Sequence, residues 1–270
     1  MRRLGRSQDR PSDSYALAKN ATAGAWGDHR MTSVELFQSG RLEDAVAALT
    51  SEVRDNPTNP KLRTFLFELL CFTGDYPRAE KQLDVLSQGG PQSEMGALFY
   101  KGALAAEKTR HEMFEKREYP KTAQDSVGPS VSGTINGQAF RNLTDSDDRI
   151  GTNLEVFVAG SYLWIPFSLL ASIEITPPKR LRDLLWLPAK VHTSAAFSGR
   201  ELAEVLLPVL SPFSSRSPDQ AVRLGRATAW EDDASGEPFP KGQKVLLADD
   251  EELPLLEVRT IEFVVAQAAS

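Results

Sequence analysis

Between Gly40 and Asn59 the apolar residues Leu42, Ala45, Val46, Leu49 and Val53 recur at three- and four-residue steps, which places them on one face of an amphipathic helix. The pattern returns 34 residues later, where Gly40 aligns with Gly74, Leu42 with Tyr76, Ala45 with Ala79 and Leu49 with Leu83. Upstream, Thr32 and Ser33 before Leu36 and Phe37 predict a short capped helix that Gly40 stops. Between the two copies, Asn59 and Pro60 open a run in which Leu62, Phe65, Leu66, Leu69, Leu70 and Phe72 cover a broad face, so this helix is expected at the centre of the helical layer.

A 34-residue period, Gly-Asp-Tyr at the turn and a small residue three positions later form the tetratricopeptide signature of stacked antiparallel helix pairs. Ala45 and Ala79 allow paired helices to approach, and the glycines reverse the chain. A third copy begins with Ala97, Tyr100 and Leu104 but has no glycine at position 108, which leaves about two and a half repeats.

The period changes after the Pro/Gly/Ser-rich segment 120–133. Asn136-Gly137 between short apolar flanks predicts a β-hairpin. The run from Leu154 to Ile175 alternates as strand, turn at Ala159-Gly160, strand, turn near Pro166 and strand. Four further runs, starting at Leu181, Glu201, Lys241 and Leu253, continue in strand-like fashion. Only "SPDQAVRLGRAT" looks helical, with Ser217 as N-cap and Pro218 in the first helical position. The expected fold is α+β: a tail over 1–30, tetratricopeptide-like antiparallel helix pairs over 31–119, a linker over 120–133, and a β-rich mixed domain over 134–266, a small bent sheet or barrel with one or two helices.

Charge refines this division. Residues 1–30 hold six Lys and Arg against three Asp and Glu, residues 31–120 eleven against fourteen, and residues 121–270 fourteen against twenty. The tail lacks any sustained period and is expected to be disordered, either as a solvated basic tail or as an overextended start, because Met31 opens the first orderly helix. The acidic remainder argues against a nucleic-acid partner. A single cysteine, Cys71, excludes an intramolecular disulfide, and no apolar run is long enough for a membrane span, so a cytoplasmic protein is expected.

Candidate chemistry is sparse. His111 opens "HEMFE" without the second histidine a zinc helix would need, and His192 sits alone in a strand pattern. "DSDDRIG" places Asp145 and Asp147 as a calcium loop would, but Arg149 occupies a ligand position and Val156 the place of the bidentate glutamate; a capped turn accounts for it. No phosphate-binding loop or nucleophile elbow occurs, so no catalytic residue, metal or cofactor is expected. The basic run 177–182 is expected as a solvated loop, and Tyr162, Trp164, Phe167, Trp186 and Trp230 as core aromatics rather than a peptide-binding face. An inter-domain enzyme site would have only His192 and the Asp145 cluster to use.

The repeat segment, followed in order by "GTINGQAF", "YLWIPFSLLASIEITPPKRLRDLLWLPAKV", "AWEDD" and "PLLEVRTIEF", resembles the ImpE/TagJ family of type VI secretion accessory proteins over about residues 31 to 263. The resemblance implies a cytoplasmic, non-enzymatic adaptor that contacts a helix of the small sheath subunit, TssB-like, and a ClpV-type disassembly ATPase. A holder of a secreted effector is the alternative of similar fold. Relative to the family, the helical stretch before the Asn136-Gly137 hairpin is short. In the tetratricopeptide register, Lys61, Thr64 and Glu68 lie on the exposed face of the first helix of the second repeat, and these are the expected partner-binding residues.

Overall fold

The computed structural model describes residues 31–120, 131–197, 202, 204–233 and 236–264. The expected tail and most of the 120–133 segment lie outside these residues.

Five helices open the described chain: α1 (Ser33–Gln38), α2 (Leu42–Asp55), α3 (Pro60–Phe72), α4 (Tyr76–Leu86) and α5 (Pro91–Lys116). Their ends follow local chemistry. Thr32 and Glu35 form a reciprocal capping box, the Asn59 carboxamide oxygen accepts from the Lys61 and Leu62 amides, and Asp75 accepts from the Arg78 amide. Gly40 and Gly74, one repeat apart, both adopt left-handed backbone at φ +82° and +73°. The third copy takes a different form: with no breaker at its middle, α5 runs unbroken for 26 residues and ends at Arg117 in a left-handed cap.

Thirteen short strands follow among the described residues. Eight form one sheet in the order β2 (Gln138–Phe140), β1 (Gly133–Ile135), β13 (Thr260–Phe263), β6 (Leu170–Ile175), β7 (Trp186–Thr193), β8 (Glu204–Pro208), β4 (Asn153–Val158), β5 (Ser161–Pro166). β12 (Glu251–Pro254), β11 (Val245–Ala248) and β3 (Leu143–Asp145) form a second sheet, and β10 (Pro238–Gly242) pairs with β9 (Thr228–Asp232). Every named strand pair is antiparallel. The Asn136-Gly137 hairpin forms as expected, with Asn136 at φ +51° and Gly137 at φ +83°. The expected helix over "SPDQAVRLGRAT" shrinks to the single turn α6 (Gln220–Arg223): Asp219 caps it by accepting from the Ala221 amide, and Gly225 at φ +65° turns the chain away after it.

Residue alternation explains how the layers join. Along β4, Leu154 and Val156 enter a core shared with Leu143 and Leu246 of the three-stranded sheet. Phe157, on the opposite face of β4, enters the core of the helices, as do Trp186 of β7 and Leu206 of β8. Helices therefore cover one face of β4, β7 and β8, and α5 lies against β4 and β5. From Thr32 onward the described residues form one compact unit.

Candidate interaction face and the helix–sheet junction

Lys61, Thr64 and Glu68 occupy one face of α3 at spacings of three and four residues, and the repeat period maps them onto Met95, Leu98 and Gly102 of α5. The structure divides this face. Lys61 is exposed and Thr64 half-buried, but Glu68 departs from its expected exposure: it is buried, and Arg182 reaches it at 3.4 Å. Burial pushes the Glu68 carboxyl up to about 7 against the pull of Arg182. The expectation failed because the single turn Leu181–Leu184 and Trp186 lie over the end of the repeat layer, which helical periodicity does not reveal.

The covering segment is anchored by rings. Trp186 stacks on Tyr100 with centroids 6.2 Å apart and lies 6.3 Å from Phe67, while the Arg182 guanidinium sits 4.7 Å from the centre of the Tyr100 ring. On α5 the equivalent position is Gly102. A Cβ there would stand 3.3 Å from the Cα of Gly160, at the β4–β5 turn, so glycine permits the two backbones to meet.

Below this cover lies a buried ionic cluster that spacing did not disclose. Arg110 of α5 donates from Nε and Nη2 to the two oxygens of Glu155 on β4 at 2.7 and 3.0 Å, and from Nη1 to Glu107 at 3.1 Å. The Trp186 indole N–H donates to Glu107 at 3.1 Å, and His111 approaches the same carboxylate at 3.2 Å. Lys244 pairs with both Glu155 and Asp145, and the Tyr162 hydroxyl donates to Glu155 at 2.5 Å. Burial alone would raise Glu107 and Glu155. For Glu107, Arg110 and the bonds from His111 and Trp186 prevail and hold it at about 2, while Arg110 and Lys244 hold Glu155 well below the usual carboxylate range. Asp145 shares only Lys244 among these cations, and burial pushes it up to about 6. One sequence signal could have found this cluster: Glu155 is a charged residue inside the apolar strand run "NLEVFV", where a carboxylate needs a buried partner.

The other candidates take structural places. "DSDDRIG" is a capped turn, with the Asp147 amide donating to Asp145 Oδ1 at 2.9 Å and Arg149 pairing with Asp147 at 2.6 Å. His192 is exposed on β7 opposite Ser172, whereas Asp145 is buried in the other sheet, so the two are not brought together. Trp164, Phe167 and Trp186 are buried, whereas Trp230 is exposed. A cavity of about 20 Å³ between Cys71, Tyr76, Glu107, His111, Trp186 and Ser214 admits a body no larger than a water. Among the described residues no group of three or more His, Cys, Asp or Glu is placed to hold a metal, and no helix is long and apolar enough to cross a membrane.

Such an arrangement, with tetratricopeptide-like helix pairs keyed into a β-rich partner by internal ion pairs, defines an α+β protein of the repeat-plus-sheet class. Comparisons with known proteins place it more narrowly. The ImpE protein family model matches residues 137–262, and a tetratricopeptide repeat model matches residues 36–99. The type VI secretion system accessory component TagJ of Pseudomonas aeruginosa is 35% identical over 268 residues, covering 88% of this chain and 92% of the relative. The crystal structure of protein VPA1032 from Vibrio parahaemolyticus superposes with a TM-score of 0.76 at 22% identity, covering 87% of this chain and 98% of that one, and so shares the fold. The chain belongs to the ImpE/TagJ family.

Proposed function

We propose that this chain is a non-enzymatic, cytoplasmic adaptor of a type VI secretion system, which binds a helix of the small contractile-sheath subunit and links the sheath to a ClpV-type disassembly ATPase. The observation that carries this reading is the 35% identity with TagJ, a type VI accessory component, which covers 88% of the chain and so includes both the repeat layer and the sheets. The geometry is compatible with it. The ionisable groups of the junction are engaged with one another, whereas the repeat layer keeps an accessible face of the kind that accepts helices.

Titration calorimetry of the full chain against the purified small sheath subunit of the same system, and against its N-terminal helix with a scrambled control, tests the first contact. Saturable one-to-one binding specific to the native sequence is expected. Recovery of a secreted effector in place of sheath subunits from a pull-down would replace the adaptor with an effector holder.

A further inference from the structure

The face shared by α3 and α5 is closed at one end and open at the other. Glu68 and Gly102, equivalent in the repeat, are covered by Arg182 and by the Gly160 turn. One to two turns earlier, Met95, Leu98 and Phe99 of α5 are 75%, 70% and 55% exposed, at the spacing that puts all three on one side of the helix. Three large apolar side chains together on one helix face differ from the scattered exposed residues a surface tolerates. Chain reversals at Gly74 and at Gly90 make α3 and α5 point the same way, and the Phe67–Tyr100 contact at 5.9 Å holds them side by side, so Lys61 and Thr64 belong to the same open end as Met95 and Leu98.

Its border is basic. Lys61 is exposed at the start of α3, and Lys179 and Arg180 are exposed in the segment that Arg182 pins to Tyr100. Glu94 is the acidic residue in the first turn of α5 and the Asp183 carboxylate accepts from the Lys179 and Arg180 amides, so these five groups sum to one positive charge in a chain whose formal net charge is -6.

We infer that this open end, built by Lys61, Thr64, Met95, Leu98 and Phe99 and bordered by Lys179 and Arg180, seats a short amphipathic partner helix whose apolar stripe is flanked by acidic residues. Pro91 to Phe99 spans about 13 Å of helix, enough to engage two to three turns of such a partner. Charge also selects the occupant. A second copy docking through the same patch would set basic border against basic border, which disfavours self-association, whereas acidic side chains beside the stripe complement it. Arg182 and the Gly160 turn limit how far the partner helix extends along α3 and α5. That the partner is a sheath-subunit helix rests on the adaptor reading; the place and chemistry of the seat do not.

The test uses the full chain and two probes: the purified small sheath subunit, and a synthetic amphipathic peptide with Glu beside its apolar stripe, compared with its Lys counterpart. Met95→Asp with Leu98→Asp is expected to weaken binding at least tenfold, Lys61→Glu with Arg180→Glu to weaken it and flatten its salt dependence, and Val264→Asp, at an exposed apolar site elsewhere, to leave it unchanged. All of these sites are solvent-exposed, so circular dichroism and melting temperature should match the parent. Sheath-subunit binding that the Met95/Leu98 variant retains within twofold would overturn the seat while leaving the adaptor reading intact. If the subunit does not bind but the Glu peptide does, with the same variant dependence, the seat stands and the adaptor reading falls. Equal binding of Glu and Lys peptides, no binding of either probe, or a concentration-dependent dimer abolished by Met95→Asp with Leu98→Asp would overturn the inference.

Discussion

Arg110 and Glu155, 45 residues apart in sequence, meet through two parallel hydrogen bonds with each side chain only 1% exposed, and this pair fastens the longest helix to the sheet. Removing one partner of a buried pair leaves the other charge without compensation in a poorly solvating interior. Arg110→Met is therefore expected to cost about 3–5 kcal/mol in urea denaturation. Arg110→Met combined with Glu155→Met should cost less than the sum of the single changes, and strict additivity would show that the pair is not coupled.

Glu68 titrates in the opposite sense to Glu107 and Glu155 of the junction. Its folded pKa, raised from the ordinary 4.5 to about 7 by burial, means that the folded state holds its proton more tightly than the unfolded chain. The associated stability is fully present below about pH 4.5 and is lost as pH rises through 7. Between pH 5.5 and 8 the ionised carboxylate should accumulate a penalty of about 2 kcal/mol that Glu68→Gln lacks. Urea melts of the two proteins across that range should diverge accordingly, with the variant gaining relative to the parent as pH rises; parallel curves would refute the shift.

Gly102 combines two opposing effects. Alanine in its place would gain about 1 kcal/mol of helix propensity but would set a methyl group 3.3 Å from the Cα of Gly160. Gly102→Ala should fall within about 1 kcal/mol of the parent, while Gly102→Val should lose about 1–3 kcal/mol by forcing α5 from the β4–β5 turn. Thermal unfolding of both variants distinguishes this from an ordinary surface helix position, where alanine would simply stabilise.

Trp186 belongs to both layers, stacked on Tyr100 and donating to Glu107. Trp186→Phe keeps most of the packing but leaves a buried carboxylate oxygen without its donor, at a cost of about 1–3 kcal/mol. Trp186→Ala adds a cavity and should cost about 3–5 kcal/mol. Similar losses for the two would mean that the indole N–H, rather than ring volume, dominates.

The sequence displayed whatever depended on local spacing. The repeat, the caps at Thr32 and Asn59, the Asn136-Gly137 turn and the interruption of the third copy all rest on residues within a few positions of one another, and the structure contains them. Contacts between distant segments were hidden. Lys244 and Glu155 are 89 residues apart and Arg182 and Glu68 are 114 apart, separations for which no periodic pattern exists. The placement of Glu68 failed for that reason: the tetratricopeptide register locates a residue on a helix face but says nothing of what a later part of the chain lays over it. Met95 and Leu98 lie on the same register, 34 residues after Lys61 and Thr64, and are exposed.

The core of the helices contains Phe157, Trp186 and Leu206 alongside their own leucines. Structural modularity is correspondingly limited. A chimera that transplanted residues 31–119 onto another protein would carry an unfinished hydrophobic interior and an Arg110 without its Glu155 partner, and would be prone to aggregate. The helical repeats thus share one interior with their sheet, and any engineered exchange between relatives has to move both together.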